Sequence, residues 1–171
     1  MKKQKGFSLI ELLIVVAIIL IIAAIAIPNL LRSRMAANEA SAVGSIRTIN
    51  TAEVSYSSSW GTGYAVALTN LGGPAGCAAT AVTACLVDPI LSVGPFTKSG
   101  YIFSATGGNL LNGVMNTFED TATPALAGTT GQRAFCSDQS GVIRFNVAGA
   151  LIAPPCANVA TAAGVSGPLG N

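Results

Sequence analysis

The sequence predicts an α+β fold in which one long N-terminal α-helix, hydrophobic in its first half and amphipathic in its second, packs against a small antiparallel β-sheet head. Three features carry this expectation. Every residue from Leu12 to Ile27 is apolar. The segment after it, as far as Trp60, repeats apolar residues at spacings of three and four. Beyond Gly61, short β-prone runs alternate with Gly, Pro, Ser and Thr. The 171 residues suffice for one head of this kind and are too few to argue for a second domain.

The helix begins after a short basic segment, residues 1–6 (MKKQKG), and its first part, residues 7–27, is apolar except for Ser8 and Glu11. At about 1.5 Å per residue this part reaches about 31 Å, close to the roughly 30 Å hydrocarbon thickness of a bilayer. Lys2, Lys3 and Lys5 precede it, so the N-terminus should stay cytoplasmic and everything after Pro28 should lie across the membrane. Two plainer readings stand beside this one. An ordinary secretory signal would use Ala24, Ile25 and Ala26 as a small-x-small cleavage site. A simple anchor is the other. Glu11 suits neither, because a carboxylate in a spanning helix costs on the order of 2.5 to 3.5 kcal/mol at the centre, and less near the edge.

In the second part, residues 28–60, Ala42, Ile46, Ile49, Ala52, Tyr56 and Trp60 form one stripe, while Arg32, Arg34, Asn38, Glu39, Arg47 and Asn50 fall mostly elsewhere. Pro28 removes a backbone donor and should kink or loosen the helix without necessarily ending it, and Gly44 is a second weak point. Ser57 to Ser59, followed by Gly61 and Gly63, mark the stop. The head, residues 61–171, contains three clear strand candidates: Tyr101–Ala105, Gln132–Cys136 and Val142–Asn146. The last two are joined by a five-residue loop, Ser137–Gly141. The helix stripe should cover the apolar face of this sheet. The tail GVSGPLGN has little to bury and is expected to be mobile.

Composition excludes several functions. Hydrophobic residues are 51% and charged residues 9%, against roughly 25% charged in an average soluble domain. The three leader lysines are a third of the nine positive charges, and the other six face seven acids, so the body carries −1 and no basic patch for nucleic acid. The absence of histidine removes Ser/His, Cys/His and HExxH chemistry, so no catalytic residue, no cofactor and no small-molecule substrate is expected. Gly61 and Gly63 lack the third glycine and the preceding strand of a dinucleotide fingerprint and are read as a turn. Asp88, Glu119, Asp120 and Asp138 are too scattered for a metal cage and are read as solvated loops. Cys77, Cys85, Cys136 and Cys156 all follow the apolar block, as in an exported, oxidised region, and three pairings are open. Their spacings include no CxxC pair, so zinc is not expected.

The segment KGFSLIELLIVVAIILIIAAIAIPNL closely resembles the N-terminus of type IV pilins and the related pseudopilins. The resemblance covers about the first 30 residues and rests on Gly6 before Phe7, Glu11 five residues into the mature chain, and Pro28 after the apolar run. It implies a pilin fold, a cleaved leader 1–6, prepilin peptidase cutting after Gly6, and N-methylation of Phe7. It also implies loss of regular helix near Pro28 during assembly, for which Gly44 is a second candidate. By the same resemblance Cys136 would pair with Cys156, much as pilins tether a C-terminal loop, leaving Cys77 to close a tight loop with Cys85.

A physical reason for Glu11 exists beside the resemblance. Cleavage exposes an α-amino group with a reference pKa near 8, and in a bundle of apolar helices that charge and the Glu11 carboxylate are each costly alone and favourable together. Copies offset along an axis could pair Phe7 of one with Glu11 of another, which sets register. The expected function is a structural subunit of a type IV pilus, a helical homopolymer serving adhesion, twitching motility or DNA uptake. Its partners would be the inner membrane before assembly, prepilin peptidase and the pilus assembly machinery, and its final location the cell surface. The alternatives are a pseudopilin of a type II secretion system, whose C-terminal acidic calcium loop finds no match because no carboxylate follows Asp138, and a secreted or anchored surface-binding protein.

Overall fold

A computed structural model describes residues 7–147, 149 and 156, with the backbone alone of 165–168. Helix α1, Leu9–Trp60, runs through Pro28 and Gly44 as one assigned element of 52 residues. It contributes to two compact units, Met1–Arg34 and Met35–Asn171. The expected leader, residues 1–6, lies outside the described residues.

In the first unit apolar surface surrounds the helix. Every large apolar side chain from Phe7 to Leu31 is exposed, from 46% at Val16 to 80% at Leu9. A helix apolar on all sides is built for a membrane or for the inside of a bundle.

In the second unit the helix is one-sided. Ala42, Ile46, Ile49, Ala52 and Tyr56 are buried in one cluster with Tyr101, Phe103, Ala105, Ala122 and Phe135, and Trp60 packs on its edge. This is the stripe expected from the spacing. Two acids join it: Glu39 and Glu53 are buried as well, so the polar face is narrower than the sequence suggested.

The sheet is a six-stranded antiparallel meander in the order β1-β2-β3-β4-β5-β6. The strands are β1 Thr97–Lys98, β2 Tyr101–Leu111, β3 Val114–Pro124, β4 Ala134–Asp138, β5 Arg144–Asn146 and β6 Val165–Pro168. β2 and β3 form its longest hairpin, with Leu111 opposite Val114. Asn112 and Gly113 make the turn with φ of 52° and 81°, the left-handed pair that matches strand twist. Along β2, Tyr101, Phe103 and Ala105 face the core; along β3, Phe118, Asp120, Ala122 and Pro124 do.

The sheet is larger than expected. β2 continues six residues past Ala105 to Leu111, because β3 supplies it with a full-length partner. β3 itself was not anticipated, since Thr, Asn, Glu and Asp blur its alternation. The expected hairpin is present with shifted ends: Ala134, Phe135 and Cys136 pair with Asn146, Phe145 and Arg144. Ser137 and Asp138, expected in the loop, extend β4 because they pair with Asp120 and Glu119 of β3. The tail expected to be mobile supplies β6 from Val165 to Pro168 on the edge of β5; its other residues lie outside the described ones.

Between α1 and β1 the chain makes two short helices, α2 (Leu68–Leu71) and α3 (Pro89–Ser92), whose Leu68, Leu71 and Leu91 enter the core. Asp88 caps α3, accepting from the amide of Ile90 at 3.0 Å, with Pro89 at the first helical position.

Candidate functional site

The chemistry of the first unit is concentrated at its start. Ser8 precedes α1 and Glu11 lies in its first turn, where the carboxylate Oε2 accepts the backbone amide of Ser8 at 2.9 Å. This is the returning arm of a capping box, an N-cap Ser with Glu three residues on. It satisfies an otherwise orphaned helix donor and places a negative charge where the helix dipole favours one. The Ser-x-x-Glu spacing was a legible signal that the sequence reading passed over. The bond engages one carboxylate oxygen and leaves the other available. Phe7, 75% exposed, stands just ahead, whereas Gly6 lies outside the described residues.

Pro28 and Gly44 both lie inside α1. A Cβ at Gly44 would meet nothing within 4 Å, so packing does not require glycine there. The Thr48 hydroxyl donates to the Gly44 carbonyl at 3.1 Å.

The structure joins Cys77 to Cys85 and Cys136 to Cys156, with Cα separations of 6.3 and 5.9 Å. The first bridge closes the half-exposed loop after α2. The second is buried, together with Ala134, and holds position 156 against β4.

Helix and sheet are clamped by Glu39. Its Oε1 accepts the amides of Gln132 and Arg133 at 2.8 and 3.1 Å, and its Oε2 accepts from Arg133 Nε at 2.8 Å and pairs with Nη2 at 2.7 Å. Burial alone would raise this carboxyl, but those two amides and the guanidinium outweigh it and hold the group below its ordinary 4.5. Arg133 also lies over the rings of Phe135 and Phe145, 5.5 and 5.3 Å from their centroids.

The four acids expected in solvated loops divide. Asp88 is an exposed cap paired with Lys98 at 3.6 Å. Asp120 is wholly buried on β3, and Glu119 and Asp138 are cross-strand neighbours, because β3 and β4 draw them into the sheet. Asp138 accepts from Arg144 at 3.1 Å, from the Ser140 amide at 2.9 Å and from the Ser140 hydroxyl. Among the described residues no group of three or more His, Cys, Asp or Glu side chains is placed to hold a metal ion.

Residues 1–27 match the prokaryotic N-terminal methylation motif. The type IV wide pilus major component PilA4 of Thermus thermophilus is 64% identical over 39 residues, 23% of this chain and 30% of that protein. The type IV major pilin protein PilA of Myxococcus xanthus is 45% identical over 54 residues, 32% of this chain and 24% of that protein. The matches thus span less than a third of either relative's length, and no solved structure matches this chain. An N-terminal methylation motif, similarity to two type IV pilins, and a long helix packed on a small antiparallel sheet together support a type IV pilin.

Proposed function

We propose that the chain is a structural subunit of a type IV pilus that polymerises through α1 after prepilin peptidase removes residues 1–6 and methylates Phe7. One observation carries the reading: a helix long and apolar enough to cross a membrane exposes apolar side chains around its whole perimeter yet keeps a carboxylate in its first turn. Such a rod needs a lipid phase before assembly and copies of itself afterwards. Glu11 would hold Ser8 through one oxygen and take the methylated amine of Phe7 from a neighbouring copy through the other, so offsets lacking that pair leave two charges unmatched in an apolar bundle. Pro28, and secondarily Gly44, would supply the points at which α1 loses regular structure on assembly.

The localisation follows from the same rod: inner membrane first, then an extracellular pilus handled by the assembly machinery. Adhesion, twitching motility and DNA uptake are the roles such a fibre serves. The test is Glu11→Val with N-terminal sequencing and electron microscopy of sheared surface fibres. The expected result is a processed chain beginning at N-methyl-Phe7 that makes few or no fibres. Normal fibres from the variant would remove the register role, and a wild-type chain beginning after Ala26 would replace the pilus with an exported binding protein.

A further inference from the structure

Two carboxyl groups occupy positions that the folding pattern reserves for apolar side chains. Glu53 lies in the buried α1 stripe between Ile49 and Tyr56, and Asp120 lies in the core-facing row of β3 between Phe118 and Ala122. Both are 0% exposed. Glu53 Oε2 accepts the amide of Ala65 at 2.8 Å, but among the described residues its Oε1 and both oxygens of Asp120 have no hydrogen-bond partner. Asn50, one turn before Glu53, donates to the hydroxyl of Ser137 at 2.9 Å, and Ser137 is the cross-strand partner of Asp120. The Asn50 Oδ1 likewise has no partner among the described residues.

A polar layer therefore crosses the seam between α1 and strands β3 and β4, and every orphan atom in it is an acceptor. Cations do not answer the shortage. Arg144 of β5 is held by Asp138 and Arg133 by Glu39. Arg47 of α1 is exposed to solvent, the charged groups on the flanking strands, Glu119 of β3 and Asp138 of β4, are acids, and β2 places uncharged Ala105 opposite Asp120. Buried acceptors without donors are matched by protons, since a neutral carboxylic acid both donates and accepts.

We propose that this seam is a proton-held latch: Glu53 and Asp120 are carboxylic acids in the native head, and their ionisation loosens the packing of α1 on the sheet. Each group releases one proton to solvent on opening. Burial pushes Glu53 up to about 7 against the opposing amide of Ala65, and burial, reinforced by Glu53, Asp138 and Glu119, pushes Asp120 well above its ordinary value against the opposing pull of its own backbone amide. In the unfolded chain Glu53 ionises near 4.5, so the folded form holds an extra proton between there and about 7. Its contribution is fully present below the lower value and is lost as pH rises through the upper one.

The experiment is urea unfolding of the full chain in detergent micelles across that range, for wild type, Glu53→Gln and Asp120→Asn. One linked proton raises the unfolding constant by up to about tenfold per pH unit. Glu53→Gln should lose one such increment of slope, and Asp120→Asn should also be shallower. In parallel, the infrared carbonyl band of protonated carboxyl groups should be present in the wild type near pH 6, fade on alkaline titration and weaken in each variant. Equal pH slopes in wild type and Glu53→Gln would overturn the proposal. So would a wild type without the protonated band near pH 6, a result that holds even if a variant fails to fold.

Discussion

Replacing Glu39 with Ala should be the most damaging single change at the helix–sheet clamp. The carboxylate receives two backbone amides and a two-point contact from Arg133. Arg133 is 38% exposed and regains water when the acid is lost, so its share is discounted. The amides of Gln132 and Arg133 make part-buried contacts and have less recourse: a fully buried donor left unsatisfied costs roughly 1 to 3 kcal/mol, so each of these falls in the lower half of that range. Two of them, with the truncated side chain itself, give about 2 to 4 kcal/mol for Glu39→Ala. Glu39→Gln, which keeps one acceptor oxygen, should cost about half as much. Because Glu39 sits below its ordinary value, its contribution is complete above pH 4.5 and is lost as pH falls through the lowered value, opposite in sign to Glu53. Chemical denaturation followed by near-ultraviolet circular dichroism reads both effects. If Arg133→Ala proved as costly as Glu39→Ala, the guanidinium and not the amides would be the main loss, and the reasoning would fail.

Two glycines make opposite forecasts in the same assay. A Cβ at Gly63 would lie 2.0 Å from the Met115 carbonyl oxygen at a φ of +78°, so Gly63→Ala should cost about 2 kcal/mol or more. Gly44→Ala meets nothing and should stabilise the helix by roughly 0.5 to 1 kcal/mol. The two bridges should separate under mild thiol reduction: mass spectrometry after alkylation should show Cys77 and Cys85 labelled while Cys136 and Cys156, at 0% and 1% exposure, stay linked. Simultaneous release of both would contradict the burial difference.

How much of this was readable in the chain depends on whether hydrophobic period and local chemistry agreed. The α1 stripe was legible because Ala42, Ile46, Ile49 and Tyr56 recur at helical spacing and nothing contradicts them. Glu39 and Glu53 share that face, but an acid in a stripe reads as solvent-facing until its partners are known, and those partners lie far away in sequence at Arg133 and Ala65. The same logic hid β3. Its core face is Phe118, Asp120, Ala122 and Pro124, so one acid and one proline break the alternation, and only pairing with β2 makes it a strand. β6 is four residues long and borrows its order from β5. At the candidate site, the apolar run, Glu11 and Pro28 stood out on physical grounds. The proposals of a cutting point at Gly6 and of methylation at Phe7 came only through resemblance, because no periodicity encodes what an enzyme recognises.

The order of the sheet has its own consequence. Each strand lies beside its predecessor, so the head is a ribbon folded back and forth with no strand threaded between two others that are distant in the chain. Lengthening a connector such as the Asn112–Gly113 bend disturbs only the two strands it joins. Surface decoration can therefore change at the bends while the face that meets α1 keeps its side chains, and foreign peptides spliced at that bend should be displayed without rewiring the sheet.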